Sequence, residues 1–205
     1  MGVIVHAPKR EVLIERAKAA YEGGLRILVL PVSIPFVAEI AGEIGDHADD
    51  VTVGISDVMN ADQVNIALAA GASFVLMPYL DEELEKSAQA RGLTVIPGIA
   101  TPSELRVART RTQGPIAAHP VGVLGGASYF AVLARMHPDL PLAATGQIGP
   151  DDSPAYLEAG ASIVIVDRGL FPSDDDSASN EVIAMRAGAL VEVCGEIRDP
   201  RRSVP

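Results

Sequence analysis

Four side chains able to carry protons stand at the carboxyl ends of short apolar runs: His6, Asp57, His119 and Asp167. Imidazole changes charge near neutral pH, and a neighbouring carboxylate orients it and raises its proton affinity, so the set suits general acid–base catalysis. His119 and Asp57 form the leading catalytic pair, with His6 as the third candidate and Asp167 within its reach if the first and last runs are neighbours. The bland reading is that such residues only cap the polar ends of a sheet, and Asp167 equally suits a structural pairing with Arg168. Two His and two Asp also leave a divalent metal open. No His-x-His or His-x-x-x-His spacing points to one, so no metal or other cofactor is assigned. Ser56, Tyr79, Thr101, Thr145 and Gln147 bring neutral hydrogen-bonding groups to the same ends. With Asp167 and Arg168 they make up the expected substrate-binding set. His47 and His137 fall at helix ends and read as surface residues.

The elements that must position these groups alternate along the whole chain. Apolar runs rich in Val and Ile lie at 3–6, 26–32, 51–55, 74–78, 94–99, 116–120, 142–148 and 163–167. Segments of helical character lie at 11–21, 35–44, 61–70, 81–91, 102–112, 128–137, 151–159 and 180–197. Strands this apolar are covered on both faces, as in a parallel sheet wrapped by helices. Eight such units predict a compact (β/α)8 TIM barrel, an α/β fold, as a single domain over 1–205 with a flexible tail from 198. Gly23-Gly24-Leu25, Ala70-Gly71-Ala72 and Ala159-Gly160-Ala161 each separate a helix from the next strand, where glycine closes the helix. An open doubly wound sheet is the alternative, but no strand is followed by a dinucleotide-type glycine fingerprint. The polar stretch 173–179 reads as a loop. Side chains two apart on a strand share a face, so His119 points inward with Ala117, one step nearer the mouth.

Composition narrows the partners. The 205 residues are 48% hydrophobic, enough for one large core. The net charge of −11 disfavours nucleic acid and anionic membranes, which call for basic surfaces. Cys194 has no second cysteine to pair with, and no apolar run reaches the roughly 18 residues of a membrane span. The expected setting is the cytoplasm, and the expected partner a small molecule.

Several motifs, in order, carry a resemblance: Gly23-Gly24-Leu25-Arg26-Ile27-Leu28, Gly54-Ile55-Ser56-Asp57-Val58-Met59-Asn60 followed by Asp62-Gln63, Ile96-Pro97-Gly98-Ile99-Ala100-Thr101-Pro102-Ser103-Glu104-Leu105, Ala144-Thr145-Gly146-Gln147-Ile148, and Leu170-Phe171-Pro172. Together they resemble the KDPG/KHG aldolase family, the class I aldolases of 2-keto-3-deoxy-6-phosphogluconate and related keto acids. The resemblance implies a homotrimeric barrel and carbon–carbon lyase chemistry. It also implies a Schiff-base lysine where this chain has Ala117, a general acid/base glutamate at Val29, a carboxylate-gripping arginine at Ser33 and threonines at Pro31 and Asp57. Of two glycine turns that hold phosphate in that family, one reads Gly146-Gln147 and the other Val166-Asp167-Arg168, and Tyr79 replaces a glycine at the mouth. An amine that forms an imine has no substitute in a methyl group. The three lysines, Lys9, Lys18 and Lys86, fall on a loop and two outer helices. The expected function is therefore a repurposed aldolase barrel performing an acid/base lyase, isomerase or cyclase step on a small carbonyl compound. The alternative is a catalytically inactive barrel kept for binding or assembly.

Overall fold

The computed structural model describes residues 1–7, 9–48, 50–171 and 179–198. The strands are β1 (Gly2–Ile4), β2 (Ile27–Pro31), β3 (Thr52–Ser56), β4 (Phe74–Met77), β5 (Thr94–Ile99), β6 (Ile116–Ala118), β7 (Leu142–Ala144) and β8 (Ile163–Val166). The helices are α1 (Arg10–Glu22), α2 (Val37–His47), α3 (Ala61–Ala69), α4 (Glu82–Ala90), α5 (Pro102–Ala108), α6 (Gly126–Met136), α7 (Ser153–Glu158) and α8 (Asn180–Arg198). A 3-10 turn, Pro150–Asp152, leads into α7. Every strand pairs in parallel with its successor, and β8 pairs with β1, so the sheet closes into a (β/α)8 TIM barrel. The loop expected at 173–179 lies outside the described residues except for Ser179. So does the expected tail beyond Arg198, which is itself the last residue of α8.

Most strands match their apolar runs to within a residue or two; β1, β6 and β7 end early, the last two for visible reasons. β6 stops before Pro120, which has no N–H to offer a ladder. β7 stops at Ala144 because Gly146 and Gln147 turn left-handed, with φ of 89° and 62°. Gly146 also has no room for a side chain. A Cβ there would lie 2.6 Å from Pro120 Cα and 3.0 Å from His119 Nδ1.

The barrel has two apolar layers, set by the period of two along each strand. Leu28, Leu30, Val53, Ile55, Val75, Ile116, Ala118, Val164 and Val166 face outward and pack under the helices. Val29, Phe74, Leu76, Ile96, Ala117, Ala143 and Ile165 fill the interior. Gly54 completes that filling by omission, since a Cβ on it would lie 2.2 Å from the tip of the Phe74 ring. The register is uneven around the ring. β2 and β3 stay paired from Ile27↔Thr52 to Pro31↔Ser56, and β4 and β5 from Phe74↔Thr94 to Met77↔Pro97. Between them, β3 and β4 share only Gly54↔Phe74 and Ile55↔Val75.

The glycine turns behave as the sequence suggests. After α1, Leu25 N–H reaches back to Ala20 C=O with Gly24 at φ 97°, a helix end that satisfies its own last carbonyls. The same turn recurs at Gly71 and Gly160, and a fourth copy, not singled out from the sequence, stands at Gly92.

Candidate active site

The carboxyl ends of β3, β4, β6 and β7 surround a small pocket lined by Ile4, Ser56, Asp57, Leu76, Met77, Pro78, Ala117, His119 and Thr145. Its floor is the top of the interior layer, where Ala117 leaves the space that a longer side chain would occupy. The cavity measures about 30 Å³, room for roughly one water, and opens toward the mouth. A larger hollow of about 650 Å³ lies outside the barrel, against Gly149, Arg168 and α8 residues such as Arg186. It contains neither His119 nor Asp57.

His119 and Asp57 meet at this pocket by different routes. His119 continues the inward face of β6, two residues past Ala117, and its N–H donates to Ile99 C=O of β5. Its Nδ1 lies 3.0 Å from Thr145 Oγ at the end of β7, which fixes the ring. Among the described residues nothing bonds Nε2, so that nitrogen is the one available to a ligand. Asp57 follows the inward-facing Ser56 and adopts a left-handed φ of 61°, a backbone region that Asp tolerates better than most residues. Ser56 Oγ donates to its Oδ2 at 3.0 Å. Burial pushes the His119 imidazole below its ordinary value near 6.5, while the carboxylates of Asp57 and Asp167 pull it partway back. The ring is therefore predominantly neutral at pH 7, with a lone pair to accept a proton and two anions nearby to steady its cationic form.

The other expected site residues divide. Ser56 and Thr145 line the pocket and are buried. His6 is exposed beyond β1, outside the pocket lining, and its carbonyl accepts from Arg16 at 2.6 Å. No His6–Asp167 bond forms among the described residues. Both oxygens of Asp167 instead accept backbone N–H groups, from Gln147 at 2.7 Å and Ile148 at 2.8 Å. Arg168 donates to Gln147 C=O and pairs with Asp152 at 2.6 Å. The Gln147 side chain is exposed, as is Tyr79 at 49%. Thr101 caps α5: its hydroxyl accepts from Glu104 N–H, and Glu104 Oε2 accepts from Ala100 and Thr101 N–H. That capping box was readable as Thr-x-x-Glu before an apolar helix. Among the described residues no group of three or more His, Cys, Asp or Glu is placed to hold a metal ion. The sequence reading did not single out Ile4, Leu76, Met77 and Pro78 as pocket walls, although the inward register of Leu76 follows from alternation along β4.

None of the three lysines lines the pocket. Lys9 is exposed at the start of α1, Lys18 lies on α1 near Glu15, and Lys86 pairs with Glu82 on α4.

Comparison with known proteins places this barrel. A family model described as KDPG and KHG aldolase matches residues 1–185. The KHG/KDPG aldolase of Escherichia coli K12 is 28% identical over 171 residues, covering 83% of this chain and 80% of that protein. The 2-dehydro-3-deoxy-phosphogluconate aldolase of Dickeya dadantii is 30% identical over 166 residues, 81% of this chain and 78% of its own. The crystal structure of 2-keto-3-deoxy-6-phospho-gluconate aldolase from Zymomonas mobilis superposes with a TM-score of 0.80 at 22% identity, covering 92% of each chain. The chain belongs to the KDPG and KHG aldolase family.

Proposed function

We propose that this barrel is a lyase-type enzyme that works without a Schiff base, by acid/base chemistry on a small carbonyl compound. The observation that carries this reading is the convergence of His119 and Asp57 on a pocket whose floor is Ala117 and whose walls include no lysine. An imine needs a primary amine beside the carbonyl, and the pocket offers a neutral imidazole instead. His119 Nε2 takes the proton from the carbon next to the substrate carbonyl, leaving the electron pair delocalised as an enolate. Ser56 and Thr145 supply hydroxyls for hydrogen bonds to the substrate's oxygens. Asp57, nearer solvent, steadies the imidazolium and passes the proton on. Returning the proton to the same carbon gives exchange; where that carbon bears a hydroxyl, loss of the hydroxyl proton and protonation of the former carbonyl carbon gives isomerisation; and expulsion of a group from the next carbon, with its bonding electron pair and a proton from the imidazolium, gives a lyase step. The family likeness supports a homotrimer, and the acidic surface suits a cytoplasmic enzyme.

A second reading, an inactive barrel used for binding or assembly, draws on one observation: the cavity is only about 30 Å³ and its floor is wholly apolar. One experiment separates the two. The protein is incubated in deuterium oxide with a panel of small 2-keto acids and aldehydes, and loss of the α-proton signals is followed by NMR. Exchange above the buffer rate, abolished in His119→Gln, supports the enzyme. No exchange across the panel favours the inactive barrel.

A further inference from the structure

The turn after β7 presents consecutive backbone N–H groups to one point in space, the kind of concavity that holds anions in many proteins. Here that point is filled from within. Gln147 N–H donates to Asp167 Oδ2 at 2.7 Å and Ile148 N–H to Oδ1 at 2.8 Å, so each carboxylate oxygen takes one donor. These are short, charge-assisted bonds. The backbone just past β8 secures the same turn, since Asp167 N–H donates to Ile148 C=O at 3.1 Å. The neighbouring cation is also engaged: Arg168 Nε donates to Gln147 C=O at 3.0 Å and its terminal nitrogen pairs with Asp152, which accepts Gly149 N–H as well. The turn adjoins the pocket, because Thr145 lines it two residues earlier and the Asp167 charge is felt at His119.

We infer that Asp167 is a specificity-determining residue: its carboxylate occupies an anion-binding turn beside the pocket and so closes it to phosphate-bearing ligands. A phosphate dianion arriving there meets a fixed negative charge and finds both N–H donors already taken. A ligand whose far end is neutral meets neither obstacle. The inference extends the proposed function to the substrate's far end, which carries no phosphate, and rests on that reading only for the placing of the reacting end in the pocket.

The test uses inorganic phosphate and needs no turnover, so its outcome is separate from that of the exchange assay. Phosphate is titrated at constant ionic strength into the wild type, Asp167→Gly and Asp167→Ser, and the amide signals of Gln147 and Ile148 are followed by NMR. The wild type is expected to show no saturable shift at those amides. Both variants are expected to show one, with a phosphate Kd at least about tenfold below any wild-type value, because a charge repulsion at contact distance is removed. Saturable wild-type binding at those amides overturns the inference, and so do folded variants without phosphate shifts. The Ser variant guards against strain from a new glycine. Failure of both variants to fold counts against it too, since that would make Asp167 a structural residue.

Discussion

His119→Gln is the perturbation that bears most directly on the proposed chemistry. Glutamine can keep a hydrogen bond to Thr145, so the stability cost of the change should stay within about 1 kcal/mol, the net worth of one such bond. The titratable lone pair is lost. General acid/base groups contribute about 100- to 10,000-fold in rate. At about 1.36 kcal/mol per tenfold, that is roughly 2.7–5.4 kcal/mol of barrier, several times the stability effect. The assay is α-proton exchange as a function of pH. Burial holds the His119 imidazole below its ordinary value of 6.5, so the base form predominates at neutral pH and the wild-type rate should fall on the acid side of 6.5. Asp57→Asn removes one of the two anions that raise the proton affinity of the ring, so the acid limb should move to lower pH as the plateau rate drops. Stability follows the same proton. The unfolded chain binds it more tightly than the folded one, so the contribution of the neutral ring is full above about 6.5 and is lost as pH falls through the lowered value. The wild-type melting temperature should therefore decline across that window more steeply than that of His119→Gln. Full exchange activity in the variant, or an acid limb that moves upward in Asp57→Asn, would refute the assignment of His119 as the base.

Three further outcomes are expected. Treatment with pyruvate and borohydride should leave the intact mass unchanged, because no lysine lines the pocket; a stable adduct mapped to Lys9 would restore imine chemistry. Gly54→Ala should cost about 1–3 kcal/mol by denaturant melts, since its Cβ would enter the Phe74 ring, and adding Phe74→Leu should recover part of that loss; strictly additive losses would mean the ring does not fill that space. Light scattering at micromolar concentration should report three copies of the chain, and a monomer would count against the assembly that the family likeness implies.

The barrel was legible because its signals are local and repeated. Apolar runs, helix-ending glycines and the alternation that turns Ala117 and His119 inward each need only a few neighbouring residues to be read. Thr101 was also legible, but as a helix cap: the Glu104 three residues on is the giveaway, and proximity to a strand end hid it. What the sequence withheld depends on backbone turns joining distant segments. The strand end puts Asp57 at the mouth, but the left-handed φ with which it lines the pocket is one that no spacing rule forecasts for a non-glycine residue. Asp167 stands beside Arg168 in the chain, yet its bonds are to Gln147 and Ile148, twenty and nineteen residues earlier. His6 could be read as its partner only because β1 and β8 adjoin. That adjacency is real, but it brings the strands together without joining these two side chains.

The uneven register around the ring has a consequence for how the barrel breathes. Longer pairings such as β2 with β3 and β4 with β5 alternate with seams of two register positions, β3–β4, β5–β6, β7–β8 and β8–β1, so opening should begin at such a seam and leave the longer pairs intact. Amide hydrogens deep in β2–β3 and β4–β5 would then outlast those at the seam by the free-energy difference between whole-barrel and partial unfolding. At the β3–β4 seam, Asp57 lies just past the end of β3 and the Pro78 wall of the pocket just past β4, with the Val58 N–H to Leu76 C=O bond of 3.2 Å as the last tie between the two sides. Loosening at a single seam would widen the mouth without dissolving the core. In a barrel whose resting cavity holds roughly one water, that is the natural place for a substrate to gain entry.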